Sequence, residues 1–244
     1  MNVIEVQKLT KCFGNFTAVD HISFDVRAGE IFGFQGANGA GKTTAMRMLC
    51  GLSTPTSGEA RVAGFNVYKE AEFIKRNISY MSQKFSLYDD FKVWENIRLF
   101  GGIYELRKKQ LSDKTNELLH VLNLESERNT LVASLPLGWK QKLAFLVAII
   151  HEPKIVFLDE PTGGVDPVTR RQFWELIYEA SARGITVFVT THYMDEAEYC
   201  NRVSIMVDGK IEALDTPTML KQLYQSATME EVFYTLAHQA TRNE

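Results

Sequence analysis

Apolar, strand-like runs recur along the chain, and several of them are continuous rather than alternating. They lie at residues 30–34, 78–81, 155–158, 185–189 and 203–207. Continuous apolar runs of this length are typical of strands that are buried on both faces, as in a parallel sheet covered by helices. Stretches with helical spacing lie between them, at residues 42–50, 168–182 and 195–200. The pattern predicts an α/β fold with a mostly parallel sheet.

Two regions depart from this alternation. Residues 3–26 have short runs of alternating apolar and polar residues, and the same pattern recurs at residues 59–62. Such runs predict a small antiparallel sheet of short strands. Residues from about 91 to 150 show helical spacing but no convincing strand. No linker rich in Pro, Gly or Ser divides the chain, so we expect one unit over 1–244. Its predicted parts are a core with the antiparallel sheet (about 1–83 and 152–214), a helical subdomain (about 84–151) and C-terminal helices (215–244).

Composition narrows the class of protein. The 244 residues are 45% hydrophobic and 23% charged with a net charge of −3, which is ordinary for a soluble globular protein. The longest apolar run, 143–150, is much shorter than the roughly 20 residues of a membrane-spanning helix. The N-terminus lacks a basic-then-apolar leader, and Cys12, Cys50 and Cys200 are widely spaced, so we expect a reducing cytoplasm. The acidic balance argues against a nucleic-acid partner.

A glycine-rich segment follows the first predicted core strand and opens a predicted helix. Its pattern is Gly, four residues, Gly, Lys and Ser/Thr, which is typical of a phosphate-binding loop. The glycines let backbone N–H groups surround an anion, Lys42 would reach the β- and γ-phosphates, and Thr43 would coordinate Mg²⁺. The candidate nucleotide-binding residues are Gly36, Ala37, Asn38, Gly39, Ala40, Gly41, Lys42, Thr43 and Thr44.

Two carboxylates end the apolar run at 155–158. Ligands of open α/β sheets bind at the C-terminal ends of the strands, which is where Asp159 and Glu160 lie. Asp159 would hold Mg²⁺, and Glu160 would act as the general base that polarises an attacking water. A glutamate directly after the aspartate favours a hydrolase over a kinase.

With these two motifs, the chain resembles the ATP-binding cassette of ABC transporters over nearly all of its length. The resemblance implies a P-loop NTPase core, a single ATP-binding domain and a Mg²⁺-dependent ATPase activity. It also implies roles for Phe13, stacking on adenine, and for Gln83, contacting Mg²⁺ near the membrane partner. His192, which follows a predicted strand, would contact the γ-phosphate. The less favoured alternative for Phe13 is that it is a core residue.

The resemblance also identifies a D-loop and a signature loop. Asp166 matches the D-loop, which crosses a dimer interface; on its own it would be the N-cap of the helix that starts near Pro167. The family expects Leu-Ser-Gly-Gly-Gln where this chain has Leu135, Pro136, Leu137, Gly138 and Trp139. Pro136 lacks the hydroxyl that would reach the γ-phosphate held by an opposite subunit. We therefore predict a slow ATPase, or one that depends on a partner cassette with an intact loop. Trp139 either covers the nucleotide interface or packs against its own subunit.

The resemblance implies two partners. One is a second ATP-binding cassette, in a homodimer or a heterodimer that closes head-to-tail around two Mg-ATP molecules. The other is a separate transmembrane permease, so the chain would be peripheral on the cytoplasmic face of the cell membrane. A candidate docking patch comprises Phe85, Leu87, Tyr88 and Phe91, although burial in the core explains these residues as well.

The sequence leaves alternatives open for the C-terminal region and for the overall function. The region around 227–234 is similar to the ABC-2 exporter group, but the helical spacing of Met229, Val232, Phe233 and Leu236 also suits a helix that seals the core. A soluble cassette in translation or DNA repair and a weakly hydrolysing regulatory subunit are the rival functions. The sequence does not identify the cargo.

Overall fold

The computed structural model describes residues 1–83 and 87–241. The strands are β1 (Asn2–Phe13), β2 (Phe16–Arg27), β3 (Ile31–Gly36), β4 (Ser57–Val62), β5 (Phe65–Asn66), β6 (Ile78–Met81), β7 (Ile155–Asp159), β8 (Thr186–Thr191), β9 (Arg202–Val207) and β10 (Lys210–Asp215). The helices are α1 (Lys42–Leu49), α2 (Ala71–Asn77), α3 (Val93–Ile103), α4 (Lys108–Val121), α5 (Leu137–Ala148), α6 (Pro167–Ala182), α7 (Pro217–Leu223) and α8 (Met229–Thr241). Two short 3₁₀ helices occupy Val132–Ser134 and Met194–Tyr199.

A six-stranded sheet carries the site, in the order β10-β9-β3-β8-β7-β6. The pairs from β9 to β6 are parallel, and β10 joins β9 as an antiparallel edge. Every residue of β3, β7 and β8 is buried, as the continuous apolar runs predicted. The parallel pairing places the C-terminal ends of β3, β6, β7 and β8 along one edge.

The N-terminal sheet is antiparallel, in the order β2-β1-β4-β5, and this confirms the second predicted sheet. The expectation of short strands was wrong, because β1 and β2 are each 12 residues long. Register shifts interrupt their pairing, for example between Val6 and Leu9, and Lys8 and His21 have positive φ. Such bulges break the alternation, so a long strand looks like several short ones in the sequence.

The region between β6 and β7 is helical. It holds α3, α4, α5 and a 3₁₀ turn, and the only β-type pairing among its described residues is an isolated bridge between Lys92 and Leu131. The middle of α5 is buried in the core, through Leu143, Phe145 and Val147. The exact boundaries of a helical subdomain stay a prediction.

Two C-terminal features refine the sequence analysis. The helix predicted at 195–200 is a 3₁₀ helix rather than an α-helix, and it buries Glu196 and Ala197 on one side. Helix α8 packs Met229, Val232 and Leu236 into the core, which supports the interpretation of the tail as a helix that seals it. In the described ranges, none of the helices has the length and apolar character needed to cross a bilayer.

Candidate functional site

The phosphate loop connects β3 to α1. Gly39 and Gly41 have φ values of 85° and 101°, which glycine adopts without strain. A Cβ on Gly41 would lie 2.2 Å from the carbonyl oxygen of Ala18, so a side chain does not fit there. Gly41 is also the N-cap of α1, and no side chain caps that helix end. The first-turn N–H groups of α1 are therefore available to an anion.

Lys42 is the cation of this loop. Its side chain is only 4% exposed, and its Nζ donates to the carbonyl oxygens of Gly36 (2.8 Å) and Ala37 (3.0 Å). Burial lowers the pKa of Lys42, while the nearby carboxylates of Glu160 and Asp159 oppose that shift. The ammonium is thus held in place by carbonyl groups and faces the two acidic residues.

Asp159, at the end of β7, is held by hydroxyl groups from three elements. Its Oδ1 accepts from Thr43 Oγ1 (3.3 Å) and Thr190 Oγ1 (2.8 Å), and its Oδ2 accepts from the hydroxyl of Tyr80 (3.2 Å). Burial, with Asp159 nearby, raises the pKa of Tyr80, so this phenol stays protonated and donates. Tyr80 and Thr190 are site residues that no sequence motif identified. Their signal was a polar residue near the C-terminal end of each strand that flanks β7.

Glu160 has a strained backbone and a crowded carboxylate. Its φ is 49°, uncommon for a residue other than glycine, and its N–H donates to Thr190. Its Oε2 accepts from Gln83 Nε2 (3.1 Å) and lies 3.1 Å from His192 Nδ1, at ion-pair distance but outside hydrogen-bond geometry. Its Oε1 lies 3.9 Å from Lys42 Nζ. The fold therefore brings together four of the predicted site residues from four separate segments.

These groups surround a cavity of about 530 Å³, within the range of small-molecule sites. Its lining residues are Phe13, Phe16, Ala18, Asn38, Gly39, Gly41, Lys42, Thr43, Thr44, Gln83, Glu160 and His192. Phe13 is 55% exposed, so the alternative that it is a core residue was wrong. Phe16 and Ala18 also line the cavity, and no motif in the sequence identifies them.

The signature loop lies elsewhere. Leu135 is buried, Pro136 and Leu137 are exposed, and Gly138 packs so closely on Thr169 that an added Cβ would lie 2.3 Å from its Cγ2. Trp139 is half-buried against the core of its own chain, which supports the second of its two alternatives, while a contact at a nucleotide interface stays a prediction. None of these loop residues is among those that line the cavity.

Asp166 caps α6. Its Oδ1 accepts from the N–H groups of Val168 and Thr169 (both 3.0 Å), and its Oδ2 accepts from Thr169 Oγ1 (2.5 Å). The bond from the Thr169 hydroxyl is the main cause that lowers the pKa of Asp166. The N-cap role is therefore confirmed, and a contact across a dimer interface stays a prediction.

The candidate docking patch is only partly described. Phe85 lies outside the described residues. Leu87 is half-buried against the core, whereas Tyr88 and Phe91 are exposed and stack with their ring centroids 5.3 Å apart. Burial in the core therefore explains the apolar side chain of Leu87, but it does not explain those of Tyr88 and Phe91.

The candidate Mg²⁺ ligands are few. No group of three or more His, Cys, Asp or Glu residues in the described part of the chain is arranged to hold a metal. Thr43 and Asp159 nevertheless place a hydroxyl and a carboxylate oxygen side by side, next to the cavity. This donor set suits Mg²⁺, which usually takes one or two protein oxygens together with phosphate and water.

Comparisons with known proteins agree with the fold and the motifs. The family model described as ABC transporter matches residues 19–163. A probable multidrug ABC transporter ATP-binding protein of Escherichia coli is 47% identical over 243 residues, which are 97% of this chain but 42% of that protein. A Nod factor export ATP-binding protein of Paraburkholderia xenovorans is 37% identical over 218 residues, 89% of this chain and 72% of that protein. The chain thus spans less than half the length of the first of these relatives.

Two solved structures are also similar. The ATP-binding subunit of an ABC transporter superimposes with a TM-score of 0.86 at 26% identity, over 96% of this chain and 99% of that one. A dimeric ATP-binding cassette in a post-hydrolysis state with ADP and Pi gives a TM-score of 0.77 at 25% identity, over 87% of this chain and 98% of that one. The chain therefore belongs to the ABC transporter family and has the fold of its ATP-binding subunits.

Proposed function

We propose that the chain binds Mg-ATP in the 530 Å³ cavity and hydrolyses it to drive a transporter whose permease is a separate polypeptide. The observation that supports this most is the environment of Glu160. Its carboxylate meets the Gln83 amide, the His192 ring and the Lys42 ammonium at the phosphate loop. A candidate base beside a cation and two polar groups in one cavity fits phosphoryl transfer to water, which is catalysed by positioning the nucleophile and stabilising negative charge.

ATP would lie along the cavity. The uncapped N-terminus of α1 and Lys42 would hold the β- and γ-phosphates, since both present positive charge to them. The exposed rings of Phe13 and Phe16 line the same cavity and would provide the surface for adenine.

Thr43, Asp159 and Gln83 would hold the Mg²⁺, which supplies charge neutralisation of the phosphates. The chain's own contribution is orientation. Tyr80 and Thr190 hold the Asp159 carboxylate from two sides, so its oxygens need little rearrangement when the metal binds.

Glu160 would take a proton from the attacking water as a general base. His192 would donate to an oxygen of the γ-phosphate, and Lys42 would stabilise the negative charge on the transferred group. The carboxylate and the imidazole lie next to each other, so one water between them and the γ-phosphate would contact both.

The partners follow from where the signature loop lies. Because that loop does not line the cavity, it would contact ATP only on a second cassette, identical or different. One named relative is a Nod factor export ATP-binding protein and the other is a probable multidrug ABC transporter ATP-binding protein, and the first of these favours export as the direction here. With a membrane partner, the chain would be peripheral on the cytoplasmic face of the membrane.

A second candidate is a weakly hydrolysing member of an asymmetric cassette pair. Pro136 favours it, because this residue gives the start of α5 no side-chain hydrogen bond and offers no hydroxyl to a nucleotide.

The test is steady-state ATP hydrolysis by the purified chain with Mg²⁺. Glu160→Gln should lower kcat by about 100-fold or more, the usual contribution of a general base, and leave ATP binding intact. Glu175→Gln, an exposed glutamate on α6, is the matched control and should behave as the parent. Hydrolysis that survives in Glu160→Gln would contradict this role. ATP binding without turnover in the parent would favour the second candidate.

Co-purification tests the partner. A transporter subunit should be recovered with a polytopic membrane protein, and its ATPase rate should rise when that protein is added in detergent. Recovery with ribosomes instead would favour a soluble translation role.

A further inference from the structure

A fully buried carboxylate lies near the site, and the proposed mechanism of ATP hydrolysis does not use it. Glu196, on the 3₁₀ helix Met194–Tyr199, is 0% exposed. Its Oε1 accepts from Thr162 Oγ1 (2.6 Å) and lies 3.7 Å from Nε of Arg170, while its Oε2 has no hydrogen-bond partner among the described residues. A buried carboxylate with so few partners is costly to the fold, so its position needs an explanation.

The bond between Thr162 and Glu196 joins the two segments that carry the candidate acid and base. Thr162 follows Glu160 by two residues, and the N–H of Gly163 donates to the carbonyl of Glu160 to close a tight turn. Glu196 follows His192 by four residues, and its N–H donates to the carbonyl of Tyr193. A shift at either end of the bond is therefore passed to Glu160 or to the residue after His192.

A second contact fixes the same segment. The Arg170 guanidinium lies 4.0 Å over the ring of Tyr193, whose own centroid is 4.2 Å from that of His192. From the other side, buried Gln35 donates to the carbonyl of Tyr193 (3.3 Å). Arg170 thus contacts both Glu196 and the neighbour of His192, and β3 holds the backbone between them.

We infer that Glu196 is a positioning residue that, with Thr162 and Arg170, fixes the Glu160 carboxylate relative to the His192 ring. This inference rests on the proposed function, because it assigns the network to ATP hydrolysis. The network touches neither the phosphate loop nor the two exposed phenylalanines of the cavity. Its loss should therefore slow turnover and leave nucleotide binding unchanged, since displacement of a catalytic group by about 1 Å costs up to about 100-fold in rate.

The experiment compares two substitutions at Thr162. Thr162→Val has nearly the same shape but cannot donate to Glu196, whereas Thr162→Ser keeps the hydroxyl. We expect Thr162→Val to lower kcat about tenfold with a Kd for a fluorescent ATP analogue within about threefold of the parent, and Thr162→Ser to restore most of the rate. Thr115→Val is the matched control, because Thr115 is an equally buried hydroxyl donor on α4, outside this network.

A second variant keeps the test decisive if Thr162→Val folds poorly. Arg170→Lys retains the positive charge near Glu196 but loses the flat guanidinium over Tyr193. It should lower kcat several-fold without weakening binding of the ATP analogue. Far-UV circular dichroism and thermal unfolding of each variant show whether it is folded.

The outcomes separate this inference from the proposed function. An active parent in which Thr162→Val and Arg170→Lys keep their kcat overturns the positioning role alone. The same holds if both variants lose binding in proportion to rate, because the network would then be only structural. A parent that binds ATP but does not hydrolyse it overturns the hydrolytic function, and this role with it.

Discussion

Helices α1 and α5 both begin without a side-chain cap, yet their surroundings are opposite. Helix α1 follows Gly41, and its first residue Lys42 is buried next to Asp159 and Glu160. Helix α5 follows Pro136, and its first residue Leu137 is exposed. Both ends present unpaired N–H groups, but the start of α1 lines the cavity with its charged residues, and none of residues 135–139 lines that cavity.

The difference shows that an uncapped helix end becomes a site only through what other elements bring to it. Around α1, the ends of β6, β7 and β8 supply Tyr80, Asp159 and Thr190 within the same chain. At the start of α5, Gly138 packs closely on Thr169 of α6. The first end thus has its surrounding groups within one chain, whereas the second end would meet a nucleotide only through the second cassette proposed above.

The largest expected effect on this comparison comes from replacing one lysine near the start of each helix with alanine. Lys42→Ala should weaken ATP binding about 100-fold, because charge-assisted hydrogen bonds contribute roughly 1.5–3 kcal/mol each. Lys140→Ala, on α5, removes only a surface contact with Asp89 and should change ATP binding by less than about twofold. Isothermal titration with Mg-ATP measures both. Equal losses in the two variants would contradict the contrast.

The next test concerns the packing that fixes the start of α5. Gly138→Ala would place a Cβ 2.3 Å from Thr169 Cγ2, and overpacking of this kind costs about 1–3 kcal/mol of unfolding free energy. Thr169→Ser removes that methyl group but keeps a hydroxyl for Asp166, so the double variant should regain most of the loss.

Gly102→Ala is the control for the glycine effect. This glycine lies in α3 with nothing within 4 Å of an added Cβ, so alanine should stabilise the fold by about 0.5–1 kcal/mol. Urea unfolding at neutral pH measures all of these variants. If Gly138→Ala has the same unfolding free energy as Gly102→Ala, then α5 can move away from α6 to make room for the added Cβ.

The third test restores a hydroxyl to the signature loop. Pro136→Ser should raise kcat about tenfold at saturating ATP, in the presence of the partner cassette, if one charge-assisted hydrogen bond to the γ-phosphate is regained. Pro136→Ala removes the ring without adding a hydroxyl and should leave the rate unchanged. An equal kcat in the parent and in Pro136→Ser would show that the missing hydroxyl does not limit turnover.

The sequence predicted those features that depend on short-range pattern. The strands β3, β7 and β8 are buried on both faces, so each appears as a continuous apolar run, and the residues at their ends could be placed on one edge. Lys42, Glu160 and His192 each lie shortly after one of these runs, so the sequence alone predicts that all three lie near the C-terminal ends of strands.

Other features depend on contacts between distant segments. The hydroxyl of Tyr80 reaches Asp159 only because β6 pairs with β7 in one particular register, and no local pattern encodes that register. The exposure of Phe13 depends on how the antiparallel sheet lies against the loop. The 3₁₀ helix at Met194–Tyr199 is short, and its Glu196 is buried against Thr162, which is 34 residues away in the chain. The packing of Trp139 against its own core likewise depends on where the fold places α5.

The smallest expected effect is a change in how the unfolding free energy depends on pH, and it concerns a buried histidine next to α5. His151 follows α5 and stacks on Tyr104 with centroids 3.5 Å apart, and burial lowers the pKa of His151 to about 4. In the unfolded chain a histidine has a pKa of about 6.5, so between these values the unfolded state binds the extra proton. The stability that His151 contributes is thus complete above about pH 6.5 and is lost progressively as pH falls towards 4.

His151→Phe keeps a flat ring against Tyr104 but cannot titrate. We expect its unfolding free energy to fall about 1 kcal/mol less than that of the parent between pH 7 and pH 4.5, because solvent at the partly open ring screens the full effect. His120→Gln, an exposed histidine on α4, should follow the parent. If His151→Phe and the parent lose the same unfolding free energy between pH 7 and pH 4.5, groups other than His151 cause the loss of stability in acid. A reduced sensitivity would locate acid lability next to α5, away from the buried charges of the phosphate loop.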